Sequence, residues 1–201
     1  MDVEDVRLAI YTSFAETGRA PSGLPPSSLR ALAEARHVVL GDDGEIVMAH
    51  PFSAVPLGFS VMSSRTLYWG GCAWDSFALP HLLGEDMLVA TTCAACGRAL
   101  SWVVGTEAPP EGEEVAHFLV PMAIVWDDVV HACAHQRLCC SESCASSLPP
   151  GYLMDLPTLW RLASHWYDGR LSRGYVRRDP SSASEYFAAA GLHGPFWGLP
   201  G

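Results

Sequence analysis

The 201-residue chain carries 12 basic and 22 acidic residues, a formal charge of -10, with 49% hydrophobic and 17% charged side chains. That balance supplies a packed interior for one compact unit, or a core with a small added lobe, and argues against non-specific attraction to nucleic acid or anionic lipid. No apolar run reaches the ~18–20 residues of a bilayer span, and the acidic start Met1-Asp2-Val3-Glu4-Asp5 lacks the order of a secretory signal.

Along residues 3–16, Val6, Ile10 and Phe14 recur at i, i+4, i+8, the apolar stripe of an amphipathic helix that Gly18 ends. Ser27 or Ser28 can cap a second helix over 29–36. Val38-Val39-Leu40, the turn Gly41-Asp42-Asp43-Gly44 and Glu45-Ile46-Val47-Met48 read as a hairpin. Helix, helix, hairpin predicts a winged-helix-like lobe over residues 1–57, docked on the rest and not reading DNA, because it lacks a basic recognition helix.

From residue 58 to 150 the texture is that of short strands. Segments 58–62 and 66–69 form a second expected hairpin, and Gly70-Gly71 leads into a helix over 72–78 that Pro80 interrupts. Strands are expected at 87–91, 100–104 and 117–121, with an exposed acidic turn at 107–114. Residues 151–201 hold a helix at 156–167 followed by a polar, Gly- and Pro-bearing tail.

The seven cysteines are clustered, with Cys93 and Cys96 in one group, Cys133, Cys139, Cys140 and Cys144 in another, and Cys72 apart. An odd number of thiols without an export signal points to a reducing cytoplasm, with thiols free or on metal. Cys93-x-x-Cys96-Gly97 between two strands is a zinc-knuckle pattern, and Cys140-x-x-x-Cys144 can supply the second pair, with Cys139 as an alternative ligand. Free, packed thiols are the competing reading. Cys72 follows two glycines at a helix start, where backbone N–H groups favour thiolate, and Asp75 lies one turn on. A thiolate beside a carboxylic acid pairs a nucleophile with a proton donor. Cys133 has His131 and His135 nearby as proton acceptors. His50, His81, His117 and His165 read as packed or surface residues, and the tryptophans as core, one or two of them able to line an apolar pocket. All twelve basic residues are arginine, a compositional bias that gives no single one weight as an anion clamp.

Tyr68-Trp69-Gly70-Gly71-Cys72-Ala73-Trp74-Asp75, with Phe52-Ser53-Ala54-Val55-Pro56, Phe77-Ala78-Leu79-Pro80, Thr92-Cys93-Ala94-Ala95 and Cys133 with His135, resembles the alkylmercury (organomercurial) lyase family over roughly residues 5–145. The resemblance implies an α+β fold, with the winged-helix-like lobe on a lyase-like core of short mixed strands. It implies an enzyme that cleaves a carbon–mercury bond by protonolysis, with Cys72 and Cys133 holding mercury and Asp75 handling the proton. It further implies a small organometallic substrate, no added cofactor, Hg(II) as the bound product, and a thiol acceptor or mercuric reductase to receive it. Cys93 matches a family cysteine read as structural, whereas Cys96, Cys139, Cys140 and Cys144 extend beyond the pattern, and Ala134 replaces a cysteine that can neighbour the second catalytic one. A structural zinc on Cys93, Cys96, Cys140 and Cys144 is compatible with the lyase reading. The alternatives are a non-catalytic four-cysteine zinc module of unknown partner and, third, a metal-responsive regulator.

Overall fold

The periodic apolar stripe of the first segment does form a helix, α1 (Val3–Thr17), with Val6, Ile10 and Phe14 fully buried. The structure, a computed structural model, describes residues 2–200. Gly18 closes α1 in the left-handed region (φ 71°) and donates its N–H to the Phe14 carbonyl at 2.8 Å. A Cβ there would run into the Leu67 carbonyl, so backbone and neighbouring strand both demand glycine. Helix α2 (Pro26–Glu34) begins earlier than its serines suggest, since Pro26 already has the helical φ of a first-turn residue and no side chain caps the helix. Strands β1 (Val39–Leu40) and β2 (Ile46–Ala49) pair antiparallel around the expected turn.

That hairpin opens a seven-stranded antiparallel sheet. Its other strands are β3 (Phe52–Ser53), β4 (Phe59–Met62), β5 (Leu67–Gly70), β6 (Met87–Thr92) and β7 (Ala99–Val104), in the order β1-β2-β3-β5-β4-β6-β7. The two-residue β3, too short to show a period, pairs with β2 on one side and β5 on the other. The sheet therefore runs unbroken across residue 57. A second antiparallel sheet has the order β10-β8-β9, from β8 (Val115–Phe118), β9 (Gln136–Cys139) and β10 (Tyr152–Asp155).

Helix α3 (Ala73–Leu83) continues through Pro80, where an interruption was expected, and ends at Gly84 with φ 71°. Every residue from Ala73 to Pro80 is buried. Packing on all sides offsets the roughly 3 kcal/mol that an interior proline costs an isolated helix. Three further helices follow: α4 (Val129–Ala134), α5 (Glu142–Ala145) and α6 (Leu156–Ser164), the last packed along α3.

The C-terminal segment departs most from its reading as a tail. Residues 180–189 form α7 (Pro180–Ala189), capped by the Asp179 side chain, and a 3-10 turn follows at Pro195–Trp197. Phe187 and Trp197 are buried, their ring centroids 5.0 Å apart, and Trp197 lies 6.3 Å from Trp74 at the start of α3. Two aromatics ten residues apart among polar ones show no helical period, yet each buries enough apolar area to anchor its segment. Buried residues from the lobe, the middle segment and this C-terminal stretch join one hydrophobic core. Among the described residues no helix is long and apolar enough to cross a membrane.

Candidate active site

Strand β5 delivers Gly70 and Gly71 into the first turn of α3, and the two glycines decide how closely the chain approaches itself. A Cβ on Gly70 would overlap Ser76 Oγ, and one on Gly71 would overlap Asp75 Oδ2. Cys72 caps α3, its sulfur accepting the Asp75 N–H at 3.4 Å. Cys133, on α4, is brought against them from the segment that leads into β9: the Cys72 and Cys133 thiols are close enough for each to shift the other's protonation, and the Cys133 sulfur lies within 4.8 Å of ligand atoms on both Asp75 and His50. Cys72 and Asp75 are 2% exposed and Cys133 4%, so the three groups share one dry site. Gly71→Ala is expected to push the Asp75 carboxyl out of place without unfolding the sheet. The reactivity of the Cys72 and Cys133 thiols should then change while the circular dichroism spectrum is kept.

The protonation pattern follows from burial. Desolvation drives the Cys72 thiol well above its ordinary range, helped by its hydrogen bond with Cys133 and by the Asp75 charge. For Cys133 the hydrogen bond from Cys72 pulls downward, but burial and Asp75 outweigh it and the net shift is upward. Burial also acts to raise Asp75. The charge and hydrogen bond of His50, and hydrogen bonds from Tyr167 and Cys72, prevail and hold the carboxyl below the usual range. At rest the site is two neutral thiols beside an ionised carboxylate, the reverse of the thiolate expected from a helix start alone. The N–H groups of one helix terminus do not compensate full desolvation of a thiolate.

Several residues around these groups carried no signal of their own. His50 Nδ1 sits 3.0 Å from Asp75 Oδ2, and the Tyr167 hydroxyl donates to Asp75 Oδ1 at 2.5 Å. The buried Arg170 donates from Nε to the His50 carbonyl at 3.1 Å. His50 lies 25 residues before Asp75, and Tyr167 lies 92 after it. Only the β3–β5 pairing and the packing of α6 on α3 bring them in, so no local spacing could reveal them. His131 and His135 lie against each other, centroids 4.2 Å apart with the rings tilted by 37°, at the end of α4; the histidine whose ring nitrogen lies within 4.8 Å of the Cys133 sulfur is His50.

Above this floor opens a cleft of about 510 Å³, lined by Trp74, Trp126, Trp166, Phe187 and Trp197 as well as by the site residues. The alkylmercury lyase (MerB) family matches residues 52–168, more than half of the chain. The chain belongs to the alkylmercury lyase family. Among solved structures it is similar to one titled "Crystal structure of the mercury-bound form of MerB2", with a TM-score of 0.64 at 18% identity, covering 85% of this chain and 91% of that one. At that identity the likeness is one of fold, a mixed α+β arrangement with antiparallel sheets. No curated protein matches.

This member of the alkylmercury lyase family carries a second thiol cluster away from the cleft. The turn between β6 and β7 presents Cys93 and Cys96, and the segment from the end of β9 into α5 presents Cys140 and Cys144. All four sulfurs lie within 4.8 Å of one another, with Cys93–Cys144 and Cys96–Cys140 at 3.5 Å. Cys139, the alternative ligand, is fully buried beside Cys93 and stands outside this set of four. Burial acts upward on Cys93, but N–H groups of Cys96, Cys140 and Ala95 bring it down to about 6. Burial, then hydrogen bonds from Cys96 and Cys93, carry Cys140 up to about 12.

Proposed function

We propose that this protein cleaves the carbon–mercury bond of organomercurials, with Cys72 and Cys133 as the mercury-binding thiols and Asp75 as the proton carrier. Family membership supports the reaction class, and the joint burial of two thiols and one carboxylate beneath an aromatic cleft is the observation that carries the residue assignment. Mercury is a soft ion and sulfur its soft ligand, so capture needs no added cofactor.

The resting protonation state suits the sequence of steps. An organomercurial R–Hg–X meets one thiol; its sulfur bonds mercury, X leaves with a proton, and R–Hg–S remains. The second thiol then gives its proton to the Asp75 carboxylate as its sulfur adds to mercury, raising electron density on the metal-bound carbon. Asp75 passes that proton to carbon, the C–Hg bond breaks, and R–H departs with Hg(II) left on two sulfurs. Asp75 is ionised again, and thiol acceptors in solution, or a mercuric reductase, take the metal. His50 and Tyr167 hold the carboxylate facing the sulfurs, and the surrounding tryptophans keep water from competing as proton source.

The test is benzene release from phenylmercury in excess thiol, followed by gas chromatography. The wild-type protein should turn over, and Asp75→Asn should be slower by about 10²–10⁴, the usual contribution of a positioned proton carrier. Absence of benzene from the wild-type protein would remove the lyase reading.

The second cluster supports a structural zinc on Cys93, Cys96, Cys140 and Cys144. Sulfurs held ~2.3 Å from zinc at tetrahedral corners stand ~3.8 Å apart, close to the 3.5 Å of the two observed pairs. The first two helices and the β1–β2 hairpin support the winged-helix-like description of the lobe. In the lobe Arg7 is tied to Glu4 at 2.8 Å and to the Arg170 carbonyl at 2.7 Å, which suits a role in docking and not in DNA contact.

A further inference from the structure

Four of the twelve arginines, Arg36, Arg170, Arg177 and Arg178, line the cleft of a protein whose formal charge is -10. Of the eight arginines outside the cleft, three have an acidic partner: Arg7 pairs with Glu4, Arg98 with Glu114, and Arg173 with Asp5. Among the described residues no carboxylate lies within ion-pair distance of the four in the cleft. The two cleft carboxylates are engaged otherwise, Asp75 by His50 and Tyr167, and Asp179 by the Ser182 N–H at 2.8 Å at the start of α7.

The arrangement around Trp126 is specific. Arg177 and Arg36 lie 4.6 and 5.3 Å from its ring centroid, and the His50 ring meets the same indole edge-on at 5.8 Å. Trp126 is therefore a shared neighbour of His50, on the floor, and of a pair of guanidinium groups. Burial, then the charge of Arg170, lowers Arg177, and burial, then Arg170, Arg7 and Arg177, brings His37 beside the cleft down to about 4. Like charges gathered in a half-buried space repel unless an anion joins them. Guanidinium forks match carboxylates in a bidentate way.

We propose that Arg36 and Arg177, the guanidinium pair around Trp126, form an anion subsite at the mouth of the cleft, which takes a carboxylate brought in with the mercury. The carboxylate belongs either to the organic group, as in 4-carboxyphenylmercury, or to the thiol that delivers R–Hg. The proposal rests on the lyase reading for its substrate, and its binding arm does not.

Benzoate and benzamide, alike in shape and different in charge, are titrated calorimetrically into the metal-free-substrate protein at two salt concentrations. Benzoate should bind more tightly than benzamide, more weakly in high salt, and about 10- to 100-fold more weakly to Arg177→Gln, the range expected for a lost charge-assisted pair. Arg177→Lys should recover part of the loss. In turnover, the ratio of kcat/KM for 4-carboxyphenylmercury over phenylmercury, with mercaptoethanol as thiol, should fall about tenfold in Arg177→Gln or Arg36→Gln. If the arginine dependence appears instead when phenylmercury is delivered on mercaptosuccinate, the carboxylate comes from the thiol and the subsite stands. Wild-type protein binding benzoate no better than benzamide overturns the proposal, and this comparison needs no variant to fold. Equal benzoate affinity in the wild-type, Arg36→Gln and Arg177→Gln proteins overturns it too. Arginine-dependent benzoate binding without hydrocarbon release from any organomercurial keeps the subsite and discards the lyase reading.

Discussion

Cys72→Ser and Cys133→Ser are each expected to abolish benzene release from phenylmercury while leaving the protein folded. Serine at position 72 keeps the α3 cap, because a hydroxyl accepts the Asp75 N–H at least as well as the sulfur that now does so at 3.4 Å. What disappears is the soft ligand. A neutral hydroxyl neither bonds mercury appreciably nor surrenders its proton to Asp75, so neither capture nor the second addition proceeds. Mercury titration should accordingly show one Hg(II) that protects two thiols in the wild-type protein and none so held in either variant. Turnover within a few-fold of wild type in Cys72→Ser would remove that residue from the reaction. The same result in Cys133→Ser would mean that another of the clustered thiols is the second ligand.

Removal of the proposed zinc should have the other large effect. The four-cysteine cluster joins the β6–β7 turn, in the large sheet, to the segment leaving β9, in the small one, and the Ala94 N–H bonds the Leu138 carbonyl at 2.9 Å across the same junction. Zinc binding to such sets releases about 10–16 kcal/mol in peptide systems, comparable with the whole stability of a domain, about 5–15 kcal/mol. Chelation is therefore expected to lower Tm strongly and to slow hydrocarbon release. Cys133 lies only three residues before β9, so a loosened junction displaces the second thiol. Cys96→Ser, at the exposed corner, should weaken zinc retention while leaving the other three ligands in place. Elemental analysis reads the stoichiometry, and thiol titration should find four cysteines shielded. A folded, fully active preparation with no bound metal and four freely reacting thiols would rule zinc out and leave packed cysteines in its place.

Local pattern carried the parts of this molecule whose cause is local. The 3.6-residue stripe of Val6, Ile10 and Phe14 makes α1, and the Gly41–Gly44 turn makes the hairpin that follows. Cys72 and Asp75 share one helical turn, and Cys93 and Cys96 one knuckle, so each pair is legible from spacing alone. The family, too, could be recognised in the run from Tyr68 to Asp75. Pro80 misled because propensity is a weak force beside burial on every side, and 168–201 because its anchors, Phe187 and Trp197, are isolated aromatics and not a periodic face.

The amino-acid order by itself thus determined the helices and hairpins with strong periods, the reactive side chains, and the chemistry that soft sulfur beside a carboxyl can perform. Tertiary structure alone decided that Cys133 faces Cys72, that His50 and Tyr167 grip Asp75 from opposite ends of the chain, and that unpaired arginines gather around Trp126. It also reversed the expected charge state of Cys72, since desolvation depends on everything packed around a sulfur and not on its neighbours in sequence. Contacts across 25 to 92 residues have no period to betray them; they exist because two sheets and a buried helix close on one another.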